Sequence, residues 1–167
     1  RLLSVLGRPS HLGTVLDYGC GYGSLLPYLT SQSFDIDEYV GVDISSSQLE
    51  EAKSTVAEAG VPSRLLETSL PDEACDYVFV SGTFNLRADT DEHEWTEFVW
   101  QTIRSLWAYA RKGVAVNFLT THVDWKSPIL FYADPEVLLG WALRELSPRV
   151  VVDHSYPLFE WSLGVRR

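Results

Sequence analysis

Three glycines at alternate positions, Gly19, Gly21 and Gly23, stand in the stretch VLDYGCGYGSLL, directly behind an apolar run that ends in Asp17. Glycine at that density admits positive φ angles and lets a ligand lie against bare main chain, with no Cβ in the way. A second acid, Asp43, closes the run YVGVD. It falls about twenty residues beyond the glycines, where a carboxylate can accept hydrogen bonds from both hydroxyls of a ribose. A glycine turn followed by such an acid can hold an adenosine-containing ligand.

Two ligand classes use that arrangement. A nicotinamide or flavin dinucleotide uses the spacing G-x-G-x-x-G, whereas here the spacing is G-x-G-x-G and Ser24 stands where the third dinucleotide glycine belongs. Asp17, two residues before Gly19, lies where a dinucleotide would place its pyrophosphate. At contact distance and an effective dielectric of ~20, that repulsion is on the order of several kcal/mol. An ammonium and a sulfonium would be attracted instead, and S-adenosylmethionine carries both. Asp43 serves either ligand, so it supports adenosine without choosing. Three readings stay open on these residues: a small-molecule methyltransferase, a dinucleotide-dependent oxidoreductase, and a non-catalytic methyltransferase-like binding or scaffold domain.

These residues need a scaffold, and the chain alternates strands and helices. GTVLDYG, EYVGVDIS, SRLLET, CDYVFVSG and VAVNFLT read as five buried strands. Between them lie helical segments: GSLLPYLTSQ with Pro27 in its first turn, SSQLEEAKSTVAEAG closed by Gly60, and DEHEWTEFVWQTIRSLWAYARKG with Gly113 as its stop. A further helix follows in DPEVLLGWALREL, Arg1 to Leu6 reads as the end of another, and the tail reads as two strands joined at HSYP. Such alternation implies a doubly wound, mostly parallel sheet with helices on both faces. The last two strands are too close in sequence for a parallel crossover, so the final strand is expected to be antiparallel, in a sheet of seven.

Length and composition narrow the class. A chain of 167 residues makes one domain, residues 1–167, with a sizeable core. It contains no methionine, so Arg1 is not a natural translation start, and a lid or substrate-binding segment is expected ahead of it. No apolar run is long enough for a bilayer, and with no charged-then-apolar stretch at Arg1, export is not expected. Cys20 and Cys75 suit a reducing cytoplasm. A formal charge of −10 disfavours nucleic acid as a partner. The oligomeric state is not readable from these features.

With those residues in view, the sequence resembles a known family. VLDYGCGYG followed by YVGVDIS is similar to the first two motifs of class I S-adenosylmethionine-dependent methyltransferases, and CDYVFVSGTFN resembles their fourth-strand motif. KGVAVNFLT and the terminal strand pair match the later strands, so the resemblance spans essentially the whole chain. It implies that Asp17, Tyr18, Gly19 and Gly21 hold the methionine end, with Cys20 and Gly23 in the same turn, and that Asp43 holds the ribose. By the same resemblance Ile44 packs on the adenine, Ser69 and Leu70 border its edge, and Ser81 and Gly82 face the methionine carboxylate or the sulfonium. The SG-x-FN run is similar to small bacterial methyltransferases acting on glycans or secondary metabolites. The N-P-P-Y-type motif for amino groups of bases or glutamine is absent, and no catechol-type metal cluster is visible.

Transfer to a hydroxyl needs a proton acceptor. His154, in the turn between the last two strands, and His122, after the fifth, are the candidates, with His154 ranked first beside Tyr156 and the aromatic run PLFEW. His11 and His93 read as surface residues. Trp95, Trp100 and Trp107 read as core packing. The long connection THVDWKSPILFYADP, with FNLRADTDEHE, is expected to form the acceptor pocket.

Overall fold

Every apolar run that reads as a strand is one, and each sends alternate residues to opposite faces of a single sheet. In the computed structural model, which describes residues 1–167, β1 (His11–Tyr18) pairs in parallel with β2 (Asp35–Asp43) on one side and β4 (Cys75–Val80) on the other. Strand β3 (Ser63–Glu67) lies outside β2, and β5 (Ala110–Thr120) lies beyond β4. The tail supplies β7 (Val150–Asp153) and β8 (Glu160–Arg166), with β8 antiparallel between β5 and β7. The order is β3-β2-β1-β4-β5-β8-β7, so the direction of winding reverses beside β1. Ligands of such sheets bind at that reversal, outside the carboxyl ends of the strands. An eighth, two-residue strand, β6 (Tyr132–Ala133), pairs with the end of β5 inside a connection that reads as loop.

The helices divide between the two faces. Helices α1 (Leu2–Val5), α2 (Leu25–Ser31) and α3 (Ser46–Glu58) cover Leu12, Val15, Tyr39 and Phe79. Helices α4 (Glu92–Tyr109) and α5 (Pro135–Glu145) cover Leu16, Val40, Val78, Val80 and Val116. Period-two alternation then decides the site, because Asp17 falls on the α1–α3 face and Tyr18 on the α4–α5 face. The caps are local. Ser45 accepts from the Gln48 amide, Asp91 from His93 and Glu94, and Asp134 from Glu136 and Val137, each satisfying amides that a first helical turn leaves free.

Two glycines act through close approach. The α4 helix ends at Tyr109, four residues before the expected stop, and Gly113 lies within β5. A Cβ there would meet the Val165 carbonyl oxygen at 2.8 Å and Leu6 Cδ2 at 2.9 Å. Its role is to let β8 and the segment after α1 close on the strand. Gly164 is tighter, since a Cβ would stand 2.5 Å from the Val5 carbonyl oxygen. That neighbour is main chain and has nowhere to turn. Gly164→Ala is therefore expected to push α1 off the sheet and cost about 1–3 kcal/mol, the usual range for overpacking. Denaturant unfolding measures this, and an unchanged midpoint would mean that α1 is not firmly seated.

Candidate active site

Two cavities open side by side at the carboxyl edge of the sheet, and Gly19 lines both. The glycine takes φ +69°, and a Cβ on it would fall 2.4–2.5 Å from Thr83 Cγ2 and Oγ1. Thr83 is in turn fixed by donating its hydroxyl to the Tyr18 carbonyl at 2.9 Å. Gly19 thus satisfies both demands read from the sequence, a left-handed backbone and a close approach.

The first cavity, about 330 Å³, lies on the α1–α3 face and is lined by Asp17, Cys20, Ser24, Ser81, Asn117 and Glu160 among others. Asp17 is only 3% exposed. Its Oδ2 accepts a hydrogen bond from the Tyr39 hydroxyl at 2.7 Å, and it forms no ion pair. Burial raises its pKa to about 7, against the smaller opposing effect of the tyrosine bond, with the nearby Asp43 charge adding to the rise. Burial likewise pushes the Cys20 thiol up to about 12, which keeps it protonated and unreactive.

The second cavity, about 1000 Å³, lies between the α4 side of the sheet and the loops after β2 and β3. Asp43 anchors it. Its Oδ2 accepts from the Gly21 amide at 2.9 Å and its Oδ1 from the Ser45 amide at 2.9 Å, so one carboxylate ties the glycine turn to the start of α3. Ile44, 78% exposed, and Leu70, 38% exposed, stand beside it as uncovered apolar surface. An apolar edge next to a held carboxylate matches a flat base joined to a ribose.

The sequence candidates separate between the two. Asp17, Cys20 and Ser81 line the first cavity, whereas Tyr18, Gly21, Asp43, Ile44, Ser69, Leu70 and Gly82 line the second. Gly23 lines neither. A Cβ on it would meet Val56 Cγ1 at 3.0 Å and Ala52 Cβ at 3.4 Å, so it serves the packing of the turn on α3. His122 and His154 come together, their rings 5.8 Å apart, on two neighbouring loops. Both are exposed, and neither lines either of these two cavities.

The loops expected to form an acceptor pocket are joined to each other. The amides of Arg87 and Ala88 donate to the Ile129 carbonyl, and that of Phe131 to Asn85. Phe131 is buried against α4 and α5, and the Tyr132 hydroxyl accepts from the Ser127 amide, so neither ring reaches the first cavity. That cavity is walled instead by α1, α2 and the end of β8, through Leu2, Leu3, Tyr28, Leu158 and Glu160. The helix α4 was read from the sequence, but its part in lining the site was not. Trp95, Phe98, Gln101, Thr102 and Ser105 form one face of that helix and line the second cavity, with Trp95 Nε1 donating to the Phe84 carbonyl at 3.0 Å. Their three- and four-residue spacing was the available signal. The one His–Asp cluster dense enough for a metal, His11 with Asp35 and Asp37, is exposed at the opposite edge of the sheet. Both ring nitrogens there already face carboxylates, at 2.9 and 3.5 Å.

Fold and site together define an α/β domain of the class I methyltransferase type, with a large cavity holding Asp43 on one side of a glycine turn and a buried acid on the other. A family model described as a methyltransferase domain matches residues 15–106, from β1 into α4, and the chain belongs to that family. Over 92% of its length it is 33% identical to the Mycobacterium tuberculosis protein named "Putative methyltransferase Rv1506c", of which it covers 93%. Among solved structures it is similar to magnesium protoporphyrin IX methyltransferase from Synechocystis PCC 6803 with bound S-adenosylhomocysteine, at a TM-score of 0.64 and 16% identity, covering 93% of this chain and 74% of that one. The small RNA methyltransferase HEN1 superposes with a TM-score of 0.73 at 20% identity, over 99% of this chain and 24% of that one. At such identities the likeness is one of fold alone, and proteins named for a porphyrin and for an RNA both share it. No helix is long and apolar enough to cross a membrane.

Proposed function

We propose that this chain transfers a methyl group from S-adenosylmethionine to an oxygen or nitrogen of a small-molecule acceptor, with glycans and secondary metabolites as the favoured classes. The observation that carries the reading is Asp17, a buried acid without an ion-pair partner, placed directly behind the glycine that both cavities share. A buried carboxylate is costly unless it is paired, and an amino-acid ammonium laid across Gly19 would supply the partner. A pyrophosphate at that place would be repelled, which sets the oxidoreductase reading aside. Bound S-adenosylmethionine supplies an activated methyl group on a sulfonium.

The protein's share of the work is alignment. Asp43 receives the ribose hydroxyls, Ile44 and Leu70 cover the base, and Asp17 receives the ammonium. Ser81 and Gly82, at the end of β4, stand where the two cavities meet. An acceptor hydroxyl also needs a group to take its proton, and two positions offer one: the His122–His154 pair on the loops and Glu160 inside the first cavity. The free, buried thiols of Cys20 and Cys75 support a reducing compartment, and we place the protein in the cytoplasm.

Calorimetric titration tests the donor. S-adenosylmethionine and S-adenosylhomocysteine are expected to bind, and NAD and NADP are not. Tight NAD binding with none for the adenosyl thioethers would overturn the reading. A methylation screen of metabolite pools, read by mass spectrometry, then identifies the acceptor.

A further inference from the structure

One acid in the first cavity is held in place by a chain of hydrogen bonds that starts at the junction with the second. Asn117 of β5 accepts from the Gly82 amide through Oδ1 at 2.7 Å and donates from Nδ2 to Glu160 Oε2 at 3.1 Å. A main-chain amide can only donate and an ionised carboxylate can only accept, so the two partners dictate which way the asparagine faces. The sheet register explains the meeting. Asn117 lies opposite Ser162, and Glu160 lies opposite Leu119, two residues along. Diagonal neighbours of an antiparallel pair share a face, here the face that also carries Asp17. Glu160 Oε1 accepts no hydrogen bond from the chain. Around it stand Ser81, Tyr156 and Ser162, the last two linked to each other at 3.1 Å.

We propose that Glu160 faces the transferable methyl group, where its charge favours the sulfonium over the neutral thioether and its free oxygen is the base for the acceptor. The inference rests on the S-adenosylmethionine reading above. A donor that lies across Gly19 places its sulfonium beside Ser81 and Gly82, and Asn117 holds Glu160 only two hydrogen bonds from Gly82. Glu160 takes the acceptor's proton as the acceptor oxygen or nitrogen bonds the methyl carbon and the carbon–sulfur bond breaks, its electron pair staying on sulfur. The exposed His122 and His154 are left at the rim. The acceptor is thereby one that offers an O–H or N–H donor to a carboxylate.

The test needs no acceptor. Wild type, E160Q, E160D and H154A are titrated calorimetrically with S-adenosylmethionine and with S-adenosylhomocysteine. E160Q keeps the shape of the side chain and removes its charge. It is expected to weaken the sulfonium ligand roughly three- to tenfold, a loss set by one charge across several ångströms of partly wet cavity, and to leave the thioether within about twofold. E160D keeps the charge and should keep the preference, which separates charge from packing even if E160Q proves less stable. H154A should leave both affinities unchanged. Equal losses for the two ligands in E160Q, or an unaltered ratio, would overturn the proposal, as would a ratio that follows H154A. If wild type binds neither ligand, the donor assignment itself fails and this inference falls with it.

Discussion

Asp17→Asn is expected to stabilise the ligand-free protein at pH 8 far more than at pH 5. Burial raises the Asp17 pKa to about 7, whereas an unfolded aspartate titrates near 3.9. Between those values the unfolded chain gives up a proton that the folded protein keeps, so the wild type loses stability as pH rises through that window. The loss is about 1.4 kcal/mol per pH unit and levels off once the folded carboxyl also ionises. Asparagine carries no such proton, and its Oδ1 can still accept from Tyr39. Allowing for water in the cavity, the relative gain of the variant between pH 5 and pH 8 should reach about 2–3 kcal/mol, or roughly 5–10 °C in melting temperature. Thermal unfolding of both proteins across that range measures it. A variant less stable than wild type at every pH would show that the carboxylate is ionised and already balanced in the folded state. With ligand the sign reverses, because the ammonium pairs with the charge that asparagine lacks. Asp17→Asn and Asp17→Ala should bind S-adenosylmethionine more weakly, yet bind 5′-methylthioadenosine, which has no amino acid, almost as wild type does. Equal losses for both ligands would make the role of Asp17 purely structural.

Asp43→Ala is expected to lower affinity roughly ten- to several-hundred-fold, since hydrogen bonds to a charged acceptor are worth about 1.5–3 kcal/mol each. The loss should extend to adenosine and 5′-methylthioadenosine, in contrast to the Asp17 variants. Asp43 also receives the amides of Gly21 and Ser45, so alanine frees the glycine turn as well as the ribose site. Asp43→Asn separates the two effects. It can still accept one of those amides while losing the charge, and it should fall between wild type and alanine. Calorimetry with adenosine alone reads the ribose contribution, and unimpaired adenosine binding by Asp43→Ala would remove Asp43 from the site.

The glycine turn and its two acids were readable because each depends on a short stretch of chain. Gly19 announces a positive φ through its own lack of a Cβ, and Asp43 announces a strand end through the five residues before it. The caps at Ser45, Asp91 and Asp134 are local in the same sense, acting on amides two or three residues away. The stop assigned to Gly113 failed for the complementary reason. That glycine answers to Val165 and Leu6, which only the fold brings near. The loop after β5 and the stretch after β4 do come together, through Asn85, Arg87 and Ala88, and line a cavity of about 190 Å³ with Thr121, Phe131, Tyr132 and Glu92.

By itself the sequence determined a doubly wound sheet, a glycine turn at the end of its first strand and an acid at the end of its second. Periodicity and turn chemistry are local and were enough for the fold class and an adenosine-containing ligand, while the family rested on the resemblance of VLDYGCGYG, YVGVDIS and CDYVFVSGTFN to its motifs. Only the tertiary structure decided that the two faces to which Asp17 and Tyr18 alternate each carry a cavity. It also joined Asn117 to Glu160 across 43 residues and set one face of α4 beside Asp43. Those outcomes follow from strand order and register. Which residues meet across a sheet depends on which strands are neighbours, and no local pattern in the chain records that.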